Sequence, residues 1–164
     1  MRNDLNRHSV SGLKVVLVGA GALGNGVFKI LGLLGVGDIL IVDPDRIEPS
    51  NLSRSTFLRE ADQTMKAEAL RDAGNQLFPD THWSSAVCEI ADVGYQDLLP
   101  YQMIFGCVDN DLARIEISII ANKLGIPYMD GGLGGSNYWR GRVTPFPVAG
   151  PCFGCKLIPN EGSN

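Results

Sequence analysis

The sequence predicts an α/β fold: a mostly parallel sheet with helices on both faces, in a single domain. Three observations carry that expectation. Short apolar runs without polar alternation, KVVLVG from Lys14, DILIVD from Asp38 and MIFGCV from Met103, read as strands buried on both faces. Helical patterns lie between them, and strands joined by helical crossovers run parallel. The 164 residues hold no internal repeat and no dividing linker, and that length suits one core.

Local signals justify each element. Residues 1–12 are polar and form a short N-terminal arm before the strand Lys14–Gly19. Ala22 to about Leu34 reads as a helix with Leu23, Val27, Ile30 and Leu31 on one face, stopped by Gly35 and Gly37. Asp38–Asp43 is the second strand. Residues 44–64 are polar, carry two prolines and are longer than a strand-to-helix turn requires, which marks a functional connection or a disordered one. Met65–Leu77 is a helix that ends before Phe78-Pro79. His82–Val87 is a weaker strand and Tyr95–Leu99 a short helix. After the strand Met103–Val108 comes the amphipathic helix Leu112–Leu124, capped by Gly125. Pro127–Met129 opens a strand into a glycine-rich turn at 131–135, and Arg140–Thr144 is the last strand.

Composition excludes several classes. Hydrophobic residues make up 45% and charged residues 20%, as in ordinary globular proteins. The 20 glycines and 9 prolines are scattered, which excludes collagen, low complexity and disorder. A net charge of −4 argues against nucleic acid as the main partner, because phosphate backbones need a basic surface. The apolar runs are short and broken by glycine, so no membrane span is expected, and no signal peptide is read at the N-terminus. A cytoplasmic location is expected. Cys88 and Cys107 fall in apolar stretches and are expected to pack as small hydrophobes.

The chemistry begins at Gly19-Ala-Gly21-Ala-Leu-Gly24. This GxGxxG follows a strand and opens a helix, the context that gives the motif meaning. Gly19 permits the tight turn, Gly21 lets the backbone approach a phosphate, and Gly24 lets the helix pack closely. The free N–H groups of the helix start favour an anion. The fold expected is therefore Rossmann-like and nucleotide-binding. Asp43 ends the second strand, where such a domain places the acid that binds ribose hydroxyls. A strand-end aspartate that caps the next loop is the alternative. Up to this point NAD and ATP fit equally.

The polar connection separates them. Asp45, Asn51 and Arg54 lie within it, and Lys66 opens the next helix. An arginine fork and a compact ammonium suit a triphosphate, whereas a dinucleotide needs neither; a solvated charged loop is the plainer reading. Asp109 and Asn110 follow the MIFGCV strand at its carboxyl end. Asp109 either holds Mg²⁺ that bridges phosphates or caps the helix that follows.

These segments together, GAGALG, DPDRIEPSNLSRS from Asp43, Lys66, CVDN from Cys107 and CFGC from Cys152, resemble the ThiF/MoeB/ubiquitin-activating-enzyme superfamily. The resemblance runs from about Leu13 to Lys156, so that 13–156 form the nucleotide-binding adenylation domain and 157–164 a C-terminal tail. It implies an ATP- and Mg-dependent adenylyltransferase acting on the C-terminal glycine of a ubiquitin-like or sulfur-carrier protein, and a homodimer. It implies that Gly19, Gly21 and Gly24 line the ATP site and that Asp43 holds the ribose, with Asp45 beside the nucleotide. Asn51, Arg54 and Lys66 would contact phosphates, and Asp109 would bind Mg²⁺. The glycines at 131–135 would let an extended carrier tail approach, or would simply form a tight turn.

The chain departs from the pattern in two places. An arginine that the family supplies from a partner's N-terminal helix has only Arg7 as its counterpart, on an arm that reads equally as solvated. Cys152 and Cys155 are half of a four-cysteine zinc site, or two reduced thiols; the second CxxC is absent, and the chain is expected to be either cut short of it or a naturally short relative. A thioredoxin-like role is not expected, because the pair does not read as the start of a helix. The rivals are an NAD-binding oxidoreductase domain and a non-catalytic nucleotide-binding interaction module.

Overall fold

In the computed structural model of the chain, the residues described are 10–53, 55–57, 64–133, 140–148 and 150–157. Among them six strands form one sheet in the order β3-β2-β1-β4-β5-β6. They are β1 (Lys14–Val18), β2 (Asp38–Val42), β3 (His82–Ala86), β4 (Met103–Gly106), β5 (Tyr128–Leu133) and β6 (Gly141–Phe146). The helices are α1 (Ala22–Leu34), α2 (Pro49–Leu52), α3 (Lys66–Leu77), α4 (Tyr95–Leu98), α5 (Asp111–Leu124) and α6 (Phe153–Leu157), with a 3₁₀ turn at Ile90–Asp92. No helix among the described residues is long and apolar enough to cross a membrane.

The central strands are apolar on both faces because both faces are covered. Val15, Leu17, Ile39 and Ile41 pack with Phe28 and Leu31 of α1 and Leu70 of α3. Val16, Val18, Leu40 and Val42 point the other way, toward Ile117 and Ile120 of α5. Strand alternation thus feeds two separate cores from one continuous apolar run. Five strands are parallel, and β6 returns antiparallel along β5.

Three expectations change. The buried residues of α1 are Gly24, Asn25, Phe28, Leu31 and Gly32, while Ile30 is 58% exposed. Phe28 sets that face by joining an aromatic cluster, 4.6 Å from Trp83 and 5.1 Å from Phe57 between ring centroids. Gly131 and Gly132 lie within β5, paired with Val143 and Arg142, so this stretch is strand and not turn; Gly134 and Gly135 lie outside the described residues. The long connection is partly ordered by α2 and by a bridge between Arg46 and Met65.

Small residues let this cluster close. A Cβ on Gly74 of α3 would collide with the Trp83 indole. Alanine in a helix is worth about 1 kcal/mol over glycine, but forcing an extra carbon into a packed core costs about 1–3 kcal/mol. Gly74→Ala is therefore expected to lower the thermal midpoint and shift Trp83 fluorescence. A raised midpoint would mean that the ring has room to move and that helix propensity wins.

Candidate functional site

The carboxyl ends of the central strands finish level, since Val18 pairs with Val42 on one side and Gly106 on the other. The chain leaves β1 toward β2 and leaves β4 toward β5, in opposite directions. A crevice must open where the strand order reverses. There the structure has a cleft of about 380 Å³, whose wall includes Gly21, Asp43, Asp45, Lys66, Asp109 and Arg114.

The glycine loop forms one wall. Gly19 has φ 96°, a conformation open to glycine, and a Cβ there would stand 2.7 Å from the Cys107 carbonyl oxygen. The loop is thereby seated on the exit of β4. Nothing stands within 4 Å of a Cβ placed on Gly21, so its backbone faces open space. Gly24 is set behind the loop and does not line the cleft; a Cβ there would collide with the Gly19 carbonyl oxygen. No side chain caps α1 and no acid occupies its first turn, which leaves its N–H groups to an anion.

Asp43 is buried and already bonded. One oxygen accepts the Ala20 N–H at 2.7 Å and the other the Asp45 N–H at 2.8 Å. Desolvation nevertheless raises its pKa above the usual carboxylate value, against those two bonds and the Lys66 charge. Asp45 receives the Lys66 ammonium at 2.7 Å, and the Lys66 side chain is only 12% exposed. Asn51 sits in α2, but its side chain, Arg54 and Arg7 lie outside the described residues.

At the end of β4 two adjacent residues divide the work. Asn110 is the N-cap of α5, its side chain accepting the Ala113 N–H at 2.8 Å. Asp109 is exposed to the cleft and, among the described residues, makes no hydrogen bond or ion pair. Helix capping therefore does not account for Asp109.

Three further groups escaped the sequence. Asn25, 2% exposed, donates to the carbonyls of Ala20 and Gly21 at 2.9 and 3.0 Å and accepts the Phe57 N–H at 3.1 Å. It ties the glycine loop to the segment that follows Arg54; its place directly after GAGALG was the available signal. Glu89 lines the cleft with its pKa raised by desolvation first, then by the carboxylates of Glu116, Asp45 and Asp43. Arg114 is buried, lines the cleft and donates three hydrogen bonds, to Asp130, Asp111 and the Val108 carbonyl. Its i,i+3 spacing from Asp111 reads as an ordinary helix ion pair, which hid it.

The donor set decides what fits. Asp43, Asp45, Glu89 and Asp109 line the cleft together with Lys66 and Arg114. No group of three or more metal-ligating side chains converges among the described residues. Mg²⁺ suits such a wall, since it binds one or two carboxylates and takes its remaining ligands from phosphates and water. Zinc does not fit in the same way. Cys152 and Cys155 supply two of the four ligands that a tetrahedral site takes, and no described residue completes it. Their placement also differs from expectation, because Cys152 directly precedes α6, and the Cys155 N–H donates to its Sγ at 3.1 Å. Nor do Cys88 and Cys107 lie in strands. They follow β3 and β4 and line the cleft.

These features define an α/β protein with a charged cleft where the strand order reverses, and its sequence relatives tell which family it belongs to. A model of the ThiF family matches residues 3–164, and the chain belongs to that family. It is 27% identical to ubiquitin-like modifier-activating enzyme 5 of Dictyostelium discoideum, covering 92% of this chain and 43% of that protein. It is 34% identical to the adenylyltransferase and sulfurtransferase UBA4 of Saccharomyces cerevisiae, covering 87% and 32%. The crystal structure of Escherichia coli MccB with MccA superposes with a TM-score of 0.65 at 26% identity, over 77% of this chain and 38% of that one. The chain thus spans less than half the length of each of these three.

Cysteine reactivity tests the local electrostatics. The Cys152 pKa is lowered by hydrogen bonds from the Cys155 thiol and N–H, whereas burial pushes Cys107 up to about 12. The thiolate is the reactive form, so at pH 7.5 iodoacetamide is expected to modify Cys152 first and to leave Cys107 unmodified while the protein is folded. Mass spectrometry of tryptic peptides would read the order. Cys107 labelled ahead of Cys152 would contradict the assigned environments.

Proposed function

We propose that this chain is an ATP- and Mg²⁺-dependent adenylating domain acting on the C-terminal glycine carboxylate of a ubiquitin-like or sulfur-carrier protein. The observation that carries the reading is the Asp109 carboxylate, without a partner among the described residues, in a cleft that Lys66 and the glycine loop before the uncapped start of α1 also line. The printed names of the relatives support it, since they describe ubiquitin-like modifier activation and adenylyl transfer. The resemblance further supports a homodimer.

In this reading the glycine-loop N–H groups hold phosphates and Asp43 accepts a ribose hydroxyl on lone pairs left by its two backbone bonds. Asp109 would hold Mg²⁺, which when bound neutralises charge on the phosphates. A carboxylate oxygen of the carrier attacks the α-phosphorus. The bond to the bridging oxygen breaks, and pyrophosphate leaves with the negative charge. Lys66 and Arg54 stabilise that charge, and Asn51 orients a phosphate oxygen. Asp45 holds Lys66 in place until the nucleotide arrives, through the 2.7 Å contact. No protein nucleophile takes part, so catalysis rests on positioning and fixed charge.

Calorimetry of the full chain with ATP·Mg²⁺ and with NAD⁺ tests the ligand. Binding of ATP that depends on magnesium and is lost in Asp109→Asn is expected; a preference for NAD⁺ would overturn the reading. Carrier-dependent pyrophosphate exchange tests the chemistry. Lys66→Ala and Arg54→Ala are each expected to slow it by a factor on the order of 10² or more, as lost transition-state contacts do. ATP binding with no exchange for any glycine-terminated carrier would instead indicate a non-catalytic nucleotide module.

A further inference from the structure

We propose that Arg114 is a positioning residue of this site, fixing the turn that carries Asp109, with Asp130 as its buried anchor. The inference rests on the adenylation reading only for what Asp109 does; the clamp itself is a matter of geometry.

Asp109 has no partner of its own among the described residues, so its direction is set by its neighbours. Arg114 holds them on both sides. Its Nη2 donates to the Val108 carbonyl at 2.7 Å, immediately before Asp109, and its Nη1 donates to Asp111 at 3.0 Å, immediately after the Asn110 cap. Its Nε donates to Asp130 of β5 at 3.1 Å. Three nitrogens of one planar fork therefore bind three points, in the loop after β4, in α5 and in β5, which a lysine cannot do.

Asp130 is fully buried, and a buried carboxylate persists only when it is well partnered. It has three partners. Besides Arg114 it accepts from the Tyr128 hydroxyl at 2.9 Å and from Arg142 at 3.0 Å. Both guanidiniums also lie over the Phe153 ring, with their carbons 5.9 and 5.6 Å from its centroid. Loss of Arg114 would thus leave Asp130 with a cation and a hydroxyl, so the fold should survive while the turn loosens.

The test compares Arg114→Gln and Arg114→Lys with Arg142→Gln. Hydrogen exchange of the metal-free full chain reads the turn directly. Both Arg114 variants are expected to speed exchange at residues 108–111 on the order of ten-fold, as loss of charged hydrogen bonds would, with β1 and β2 unchanged. Arg142→Gln, which leaves every Arg114 contact to the turn, should match wild type. The Mg²⁺ concentration needed for half-maximal ATP binding should rise by a similar factor in the Arg114 variants alone. Should Arg114→Gln fail to fold, Asp130→Asn keeps an acceptor with a weaker hold and is read the same way. Wild-type exchange at 108–111 in the Arg114 variants would overturn the proposal, as would equal loosening in Arg142→Gln. If wild type binds no ATP·Mg²⁺, the adenylation reading fails, and the exchange comparison still decides the clamp.

Discussion

The Asp43 carboxylate stands between the glycine loop and the exit of β2, accepting one backbone N–H from each. Parallel strands end in loops that have no ladder partners, so each loop must find its hydrogen bonds elsewhere. Asp43 supplies them for Ala20 and Asp45 together. Its raised pKa shows what this costs, because desolvation outweighs two N–H donors and the Lys66 charge. Truncation would leave the Ala20 N–H buried and unpaired, a penalty of about 1–3 kcal/mol. The glycine loop, the Asp45–Lys66 pair and the start of α3 all take their positions from this carboxylate.

A second amide repeats the logic from the other side. Asn25 uses its Nδ2 on the Ala20 and Gly21 carbonyls and its Oδ1 on the Phe57 N–H. Phe57 then packs its ring on Phe28. The long connection is thus held at Phe57 by one buried amide and one aromatic contact, at its near end by Asp43, and where it closes on α3 by the Arg46–Met65 bridge.

The fold was legible because a parallel sheet writes itself plainly. Buried strands such as Val15–Val18 carry no polar residue, and helix stops at Gly35 and Gly125 adopt the left-handed conformation at φ 73° and 66°. What was not legible depended on tertiary contact. The helical pattern alone put Ile30 inside α1, but Phe28 wins the core through Trp83 and Phe78, 4.6 and 5.8 Å away. Gly131 and Gly132 suggested a turn because glycine weakens strands; pairing with β6 overrides that preference. At the site, Asp43 and Asp109 were found at strand ends, Asp45 and Lys66 through the polar connection and the family resemblance, and the structure brings the four to one cleft. Whether Asp109 or Asn110 capped α5 could not be read from adjacent residues with equal propensity. The side-chain bond from Asn110 settles it. Asp130 and Arg114 were invisible because their partnership spans 16 residues and two elements.

The distribution of charge explains why such a site needs these supports. Four carboxylates and two cations line the cleft among the described residues. A polyanionic nucleotide entering it would be repelled unless the cations are fixed where phosphate charge lies and the acids are turned to useful directions. Each charged group on the wall that has a partner is accordingly held by an uncharged donor or an opposite charge. Asp43 takes two backbone N–H groups, Lys66 takes Asp45, and Arg114 takes Asp130 together with the Val108 carbonyl. The Cys107 thiol, one of two that line the cleft, is pushed up to about 12 by burial first and then by the Asp130 charge. Under the adenylation reading the reacting oxygen comes from the carrier, and the protein's task is to hold charges still while the α-phosphate is attacked. A buried ion network behind the cleft, costly in stability and silent in chemistry, is what that task requires.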